Sequence, residues 1–277
     1  GKVKNISRGR EDPAESQTRL RGELGVVRRS DRILAPTSTE AGHLVRLYGA
    51  DPDRISVVPP GVDRHLFAPM QRDEARARLG LGPGPMILFV GRLQPFKGPQ
   101  IAIRAMALAV SRSAAITQDA ALVIVGGPSG VGAEEVGRLR ALAASLGIER
   151  RVRFVPPQPH PRLAAFYSAS DVVIVPSRSE SFGLVALEAQ SCGRPVIGAA
   201  VGGLRHSVVD GVTGFLVEGH DPASYAERIL RLLADPELRR RMGEAGMAHS
   251  SMFTWDRAAA EIGRVYRELT ELRRGAA

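Results

Sequence analysis

Two acids, Glu180 and Glu188, frame the run Ser181-Phe182-Gly183-Leu184 within RSESFGLVALEAQSCGRPVI, residues 178–197. Three readings of that pair are open: a catalytic pair, two separate grips on one elongated ligand, or solvated helix acids. A helix beginning near Phe182–Gly183 leaves the first amides, those of Phe182, Gly183 and Leu184, without intrahelical partners. With the helix dipole they make an anion site. At 1.5 Å per helical residue the two acids stand very roughly 8–12 Å apart. Carboxyls that cleave a glycosidic bond with retention stand about 5 Å apart. The spacing therefore argues against one paired centre. It suits hydrogen bonds to hydroxyls at two ends of one ligand, a sugar and a ribose with phosphates between.

Cations stand in a second segment, VGRLQPFKG, behind an apolar run. Arg92 and Lys97, with Gly91 at the turn, fall at or just beyond the carboxyl edge of the expected sheet, where ligands of open α/β sheets bind. A fixed guanidinium fork and a mobile ammonium suit a diphosphate; the plainer reading is two solvated loop cations. VGGPSG at 125–130 could cradle phosphate but lacks the order of a nucleotide-binding glycine motif, and a tight turn accounts for it equally. In GGL at 202–204, Gly203 could open a helix whose amides face the ligand. Cys192, the single cysteine, sits among small residues and reads as a buried apolar side chain rather than a nucleophile.

These residues need a scaffold, and the chain supplies its pattern. Short apolar runs at 86–90, 121–125, 152–155, 171–175, 195–198 and 214–217 are continuous rather than alternating, as in strands buried on both faces. Helical stretches at 98–112, 133–147, 160–168, 183–193 and 203–209 separate them. That alternation predicts an α/β fold: a doubly wound parallel sheet with right-handed crossovers. Residues 1–68 differ. A helix over 13–31, a short strand over 32–37, a helix over 38–50 capped by Ser38 or Thr39, and a strand with a turn over 54–63 give too few strands to close a core. Two amphipathic helices are expected over 235–251 and 254–274. LGLGPGPM at 79–86 is the best candidate boundary.

Composition narrows the partners. Lys and Arg total 38 against 29 Asp and Glu, a net charge of +9, but aromatic residues are 5% of the 277. Platforms for stacked bases are scarce; a small anionic ligand such as a nucleotide explains the charge at least as well as nucleic acid, and general solubility explains it too. No run of about 18 uncharged apolar residues predicts a membrane span. A lone cysteine suits a reducing cytoplasm. The opening GKVKNISRGRED has neither a Met nor an apolar core and reads as a cut inside a longer protein.

Taken in order, PPGVDRHLF, VGRLQPFKG, SDVVIVPSRSESFGLVALEA and GGLRHSVVDGVTGFLVEGHD resemble glycosyltransferase family 4 almost end to end. ESFGLVALE resembles the E-x7-E motif of retaining glycosyltransferases with the GT-B fold. KVKN, GRLQPFK and GGPSG are similar to members that glycosylate an inositol phosphate; sucrose-phosphate synthases share several of them.

The resemblance implies retaining transfer from a UDP-sugar, such as UDP-N-acetylglucosamine, to a small polar or phosphorylated acceptor such as 1D-myo-inositol 3-phosphate. Glu188 would hold the ribose diol. Glu180 would meet the donor sugar, together with Ser181 and the amides of Phe182, Gly183 and Leu184. Arg92 and Lys97 would neutralise the diphosphate, the backbone near Gln158 would meet the base, and Arg19 would meet an acceptor phosphate. No metal is required, although relatives hold a peripheral Mg2+ near Tyr167–Ser170. His160 and His206 match no acceptor-side role.

Three parts are expected: 1–68 as the remnant of an acceptor domain and its crossover, 69–252 as the nucleotide-sugar domain, and 253–277 as a helix packing on the acceptor domain. That helix carries Trp255, Ile262, Val265, Tyr266 and Leu269 at helical spacing. With its partner domain incomplete, the chain alone is expected to associate, a homodimer being one outcome, and not to transfer sugar. The alternatives are a sucrose-phosphate-synthase-like enzyme, a lipid or polysaccharide glycosyltransferase, and a nucleotide-sugar-binding module without turnover.

Overall fold

A computed structural model of the chain describes residues 2–7, 16–128 and 133–275. The first segment runs α1 (Lys2–Ser7), α2 (Gln17–Arg29), β1 (Ile33–Ala35), α3 (Ser38–Tyr48) and β2 (Ile55–Val57). β1 and β2 pair in parallel, Ile33 opposite Ile55 and Ala35 opposite Val57. Neither α2 nor α3 contributes a fully buried residue, and with only two strands among its described residues this segment lacks a core of its own. The cap of α3 is neither Ser38 nor Thr39. Thr37, in extended backbone, accepts from the Glu40 amide through Oγ1 at 3.1 Å, which makes Ser38 the first helical residue.

The rest of the chain alternates as its apolar runs predict. α4 (Arg72–Leu79) leads into β3 (Met86–Val90), α5 (Pro99–Arg112), β4 (Ala121–Val125), α6 (Ala133–Ser145), β5 (Val152–Val155), α7 (His160–Ala169) and β6 (Val172–Val175). Then come α8 (Leu184–Ser191), β7 (Val196–Ala199), α9 (Leu204–Ser207), β8 (Gly214–Val217), α10 (Pro222–Ala234), α11 (Pro236–Ser250) and α12 (Trp255–Gly275). Every pairing in the six-stranded sheet is parallel, in the order β5-β4-β3-β6-β7-β8. Counted within the sheet this is 3-2-1-4-5-6, the doubly wound dinucleotide-type order.

Burial on both faces explains the unbroken apolar strands. Ile87 and Phe89 of β3 join one core with Ile101, Ile103 and Met106 of α5 and Ile229 of α10. Met86 and Leu88 join the other, with Leu163 and Phe166 of α7 and Leu187 of α8. Two helices of this part lie outside the sequence expectations, as does α1 in the first segment. α4 is short and charged, and only Ala75, Arg76 and Leu79 turn inward. α10 buries Tyr225, Ala226, Ile229 and Leu232 at helical spacing, a stripe the sequence did carry.

Two crossings join the first segment to the sheet and touch each other. The Val62 amide donates to the Phe253 carbonyl at 3.0 Å. Gly61 lies so close to the second crossing that an added Cβ would stand 2.1 Å from the Trp255 nitrogen. From there α12 runs back to the first segment, where Arg273 pairs with Asp31 at 2.8 Å and Arg32 lies 3.7 Å from Glu268. Val265 is buried on α12, while Trp255 is 53% and Tyr266 67% exposed.

Candidate functional site

The strand order reverses between β3 and β6, and a crevice opens above their carboxyl ends at such a point. The loop after β3 carries Gly91, Arg92 and Lys97; the loop after β6 carries Glu180 and Ser181. Backbone ties hold the two loops together, the Arg178 amide donating to the Phe96 carbonyl at 2.9 Å. Lys97 ends a short 3-10 turn, Pro95–Lys97, which points its ammonium across the crevice. Lys97 Nζ stands 2.6 Å from Glu180 Oε2, with both side chains about a fifth exposed. Ser177 Oγ is 3.5 Å from the same oxygen. The Arg92 side chain is exposed and forms no ion pair among the described residues.

A cavity of about 900 Å³ lies over these loops and is closed on its far side by α2 and α3. It brings together Arg19, Arg92, Lys97, Glu180 and Ser181, residues separated by up to 162 positions (181 − 19). Arg19 reaches it from α2, where Ser16 caps the helix and Arg19 Nε is 3.0 Å from Glu23 Oε1. Glu23 also accepts from the Tyr48 hydroxyl at 2.5 Å. Burial pushes the Glu23 carboxyl up, while the hydrogen bonds from Tyr48 and Arg19 pull it down. Glu23, Tyr48, Gln94 and Phe96 line the cavity and escape sequence reading. Only Glu23 left a signal, lying four residues beyond Arg19 on one helix face.

The other predicted residues lie outside that lining. Gly91 is tied to the next strand by its amide, which donates to the Val125 carbonyl at 3.0 Å. Gly183 adopts φ 93°, so α8 begins one residue later than expected, at Leu184. A Cβ at Gly183 would fall 2.7 Å from Leu204 Cδ2, a second reason for glycine there. The free first-turn amides of the helix are therefore those of Leu184 and Val185, since the Ala186 amide already donates to the Gly183 carbonyl at 2.9 Å. Phe182 is buried, its ring edge-on to Phe253 at 5.5 Å. Glu188, half-buried one turn into α8, accepts from the Tyr167 hydroxyl at 2.7 Å. Burial raises the Glu188 carboxyl above its usual range, against the Tyr167 hydrogen bond and the nearby His160. Burial, with Glu188 adding to it, also pushes the Tyr167 hydroxyl well up. Gln158 sits beyond the edge strand β5, its amide folded back onto the Pro156 carbonyl at 2.8 Å.

Several other expectations bear on the site. Gly203 does not open an anion site: α9 has only four residues, and the Gly203 amide donates to the Glu180 carbonyl at 2.6 Å, so it positions the acid instead. The glycine-rich run after β4 extends to Ser129 and Gly130, which lie outside the described residues. Tyr167–Ser170 does not fit a Mg2+ site, because the Tyr167 carbonyl already accepts from both the Ser170 amide and Ser170 Oγ, at 3.0 and 2.8 Å. Cys192 is fully buried and its thiol is pushed up to about 12, chiefly by burial, as befits a packing residue. His206 bridges the two parts of the chain, its Nε2 lying 3.0 Å from Thr39 Oγ1. Among the described residues no helix is long and apolar enough to cross a membrane.

Comparison with known proteins gives this geometry its relatives. Residues 71–249 match the family described as glycosyl transferases group 1, and residues 7–66 match glycosyltransferase family 4. The chain is 53% identical, over all 277 of its residues, to the D-inositol 3-phosphate glycosyltransferase of Acidothermus cellulolyticus, and spans 62% of that protein's length. The enzyme of the same name from Frankia alni is 48% identical over 96% of the chain, which covers 66% of it. Among solved structures, a sucrose-phosphate synthase from Thermosynechococcus elongatus superposes with a TM-score of 0.85 at 33% identity, over 98% of this chain and 66% of that one. The HepE protein of Anabaena, solved in complex with UDP-glucose, shares the fold at a TM-score of 0.81 and 24% identity, over 93% of this chain and 68% of its own.

Proposed function

The chain belongs to glycosyltransferase family 4, with a group 1 glycosyl transferase unit as its larger part, and on that premise we propose that it binds a UDP-sugar at the β3–β6 crevice and transfers the sugar, with retention, to a small phosphorylated acceptor. The observation that carries this reading is the convergence of Arg92, Lys97 and Glu180 on one cavity at the reversal of the strand order. Relatives named for an inositol phosphate and for a sucrose phosphate support a phosphorylated acceptor. Arg19 lines the opposite wall of the cavity, which supports its assignment to the acceptor phosphate.

Each residue then has a role. Arg92 and Lys97 neutralise the diphosphate as its bond to the anomeric carbon breaks. The Leu184 and Val185 amides add their donors at the α8 N-terminus. The acceptor hydroxyl forms the new bond on the face the diphosphate leaves, and its proton departs with the phosphate oxygen. Lys97 must exchange Glu180 for phosphate when the donor binds, which frees Glu180 for the sugar hydroxyls. Glu188, oriented by Tyr167, holds the ribose, and the loop at Gln158 meets the base. In this reading residues 1–68 and 253–277 form the acceptor side, residues 69–252 hold the donor, and the reaction takes place in the cytoplasm, which suits the single buried thiol.

The deciding experiment is turnover of UDP-N-acetylglucosamine by a form lengthened to the size of its relatives. 1D-myo-inositol 3-phosphate, a hexose phosphate and their unphosphorylated counterparts are offered as acceptors, and the anomeric configuration of the product is read by NMR. Transfer confined to phosphorylated acceptors with the donor's configuration kept is the expected result. Transfer preferring the unphosphorylated compounds, or an inverted product, overturns the acceptor or the retention assignment. Binding of UDP without any turnover would favour a nucleotide-sugar-binding module.

A further inference from the structure

At the opposite, amino end of the sheet, four arginines crowd one carboxylate. Asp171 immediately precedes β6, and its Oδ2 accepts from Arg72 Nη2 at 3.0 Å, Arg76 Nη2 at 3.0 Å and the Met86 amide at 2.7 Å. Arg239 Nε is 3.9 Å from Oδ1. Arg194, just ahead of β7, lines the same cavity as Arg72, Asp171 and Arg239. Arg76 is satisfied there: its remaining donors meet the carbonyls of Ala169, Gly82 and Gly84. Arg239 is also held, by the Leu233 carbonyl at 2.9 Å.

Arg72 and Arg194 keep donors that no protein group among the described residues takes. Arg72 Nε is buried without a hydrogen-bond partner. Arg194 donates through Nε alone, to the Cys192 carbonyl at 3.2 Å, and its two terminal nitrogens have no partner among the described residues. Burial lowers the Arg194 guanidinium from its usual range, with repulsion from Arg72 and Arg76 adding to the effect. Arg240 and Glu244 line the same cavity and pair with each other at 2.5 Å; beside that pair, four cations against one anion is a costly arrangement in a half-buried place, unless an anion completes it.

We propose that the cavity of about 340 Å³ between Arg72 and Arg194 is a binding site for a phosphate group, distinct from the donor crevice. Guanidinium forks with free donors match phosphate oxygens bidentately. The volume admits a small phosphomonoester as well as free orthophosphate. The length of the sheet, about 13 Å for a four-residue strand at 3.3 Å per residue, separates this site from the β3–β6 crevice. One element spans the interval: α8 starts at the crevice with Leu184, and its carboxyl end runs through Cys192 to Arg194.

The test is the melting temperature of the chain in orthophosphate, and separately in glucose 6-phosphate, against chloride at matched ionic strength. A rise of about 2–4 °C at several times the dissociation constant is expected. The double variant Arg92→Gln, Lys97→Ala, which removes the donor crevice's own phosphate-binding cations, should keep the rise, and adding Arg194→Gln or Arg72→Gln to that background should abolish it. Arg72 is more than a third exposed on its side chain, so that variant tolerates replacement even if Arg194→Gln folds poorly. A larger shift with the ester assigns the cavity to a metabolite; an equal shift assigns it to the free ion. No shift with either compound, or a shift that vanishes in the donor-crevice variant or survives Arg72→Gln on that background, overturns the proposal.

Discussion

Lys97 Nζ and Glu180 Oε2 lie 2.6 Å apart across the crevice between β3 and β6. The pair joins the cation assigned to the diphosphate with the acid assigned to the sugar, so each holds the other's charge until a ligand divides them. A half-buried pair of this kind is held but not locked, because surface-type ion pairs contribute only about 0–1 kcal/mol.

Removing the cation should show in binding. Lys97→Ala is expected to weaken UDP binding by about tenfold or more, the loss of one charge-assisted contact to phosphate. Titration calorimetry reads it directly, and the UDP-induced rise in melting temperature should shrink with it. An affinity within twofold of the unaltered chain would remove Lys97 from the donor site.

Glu180→Gln should behave in the opposite way. It frees Lys97 for phosphate, so UDP affinity holds or improves by a few-fold. Transfer by the lengthened form should fall by about 10²–10³, as for a group whose contact strengthens in the transition state. Equal losses in binding and in kcat would contradict this division.

Glu188 carries a pH signature. Its folded carboxyl is raised above the ordinary 4.5, first by burial. The folded protein therefore holds the proton more tightly than the unfolded chain, and this contribution to stability is lost as pH rises above 4.5 through the folded value. Glu188→Gln removes the titration, so its melting temperature should gain on that of the unaltered chain across that window. Tyr167→Phe removes a hydrogen bond that favours the charged form and should move the window to higher pH. Parallel melting curves for all three proteins from pH 4 to 8 would show that Glu188 does not titrate as described.

Asp171→Asn tests the amino end of the sheet. The change leaves Arg76, 3% exposed, without its counter-charge. A loss of about 3–5 kcal/mol is expected for a broken buried pair, a fall of roughly 10 °C in melting temperature for a chain of this size. A change under 2 °C would mean the arginines are held by backbone carbonyls alone.

The sequence by itself determined the sheet. All six strands stand where the continuous apolar runs place them, because a strand buried on both faces must be apolar at every position. Alternation with helices determined the parallel pairing, and that in turn sent the residues after β3 and β6 to one edge. Arg92, Lys97 and Glu180 were legible for that reason. Local order was less so. Gly183 looks like any helix-opening glycine, and only its φ of 93° moves the start of α8 to Leu184. Thr37 displaced the neighbouring hydroxyls as the cap because its backbone, not its side chain, is extended.

What the tertiary structure alone decided is which distant groups meet. Nothing in the spacing of Glu180 told whether it faced a ligand or a lysine 83 residues away, nor that Tyr167 would orient Glu188. Gly203 was read as a ligand-facing amide, and packing turned it onto the Glu180 carbonyl. The arginine cluster was invisible for the same reason. Arg72, Arg76, Arg194 and Arg239 lie up to 167 positions apart (239 − 72) in the sequence, and the parallel crossovers return each segment to the same end of the sheet. Periodicity records which face of an element is dry; it holds no information about which two dry or charged faces will be brought together, and the chemistry of this chain lies in those meetings.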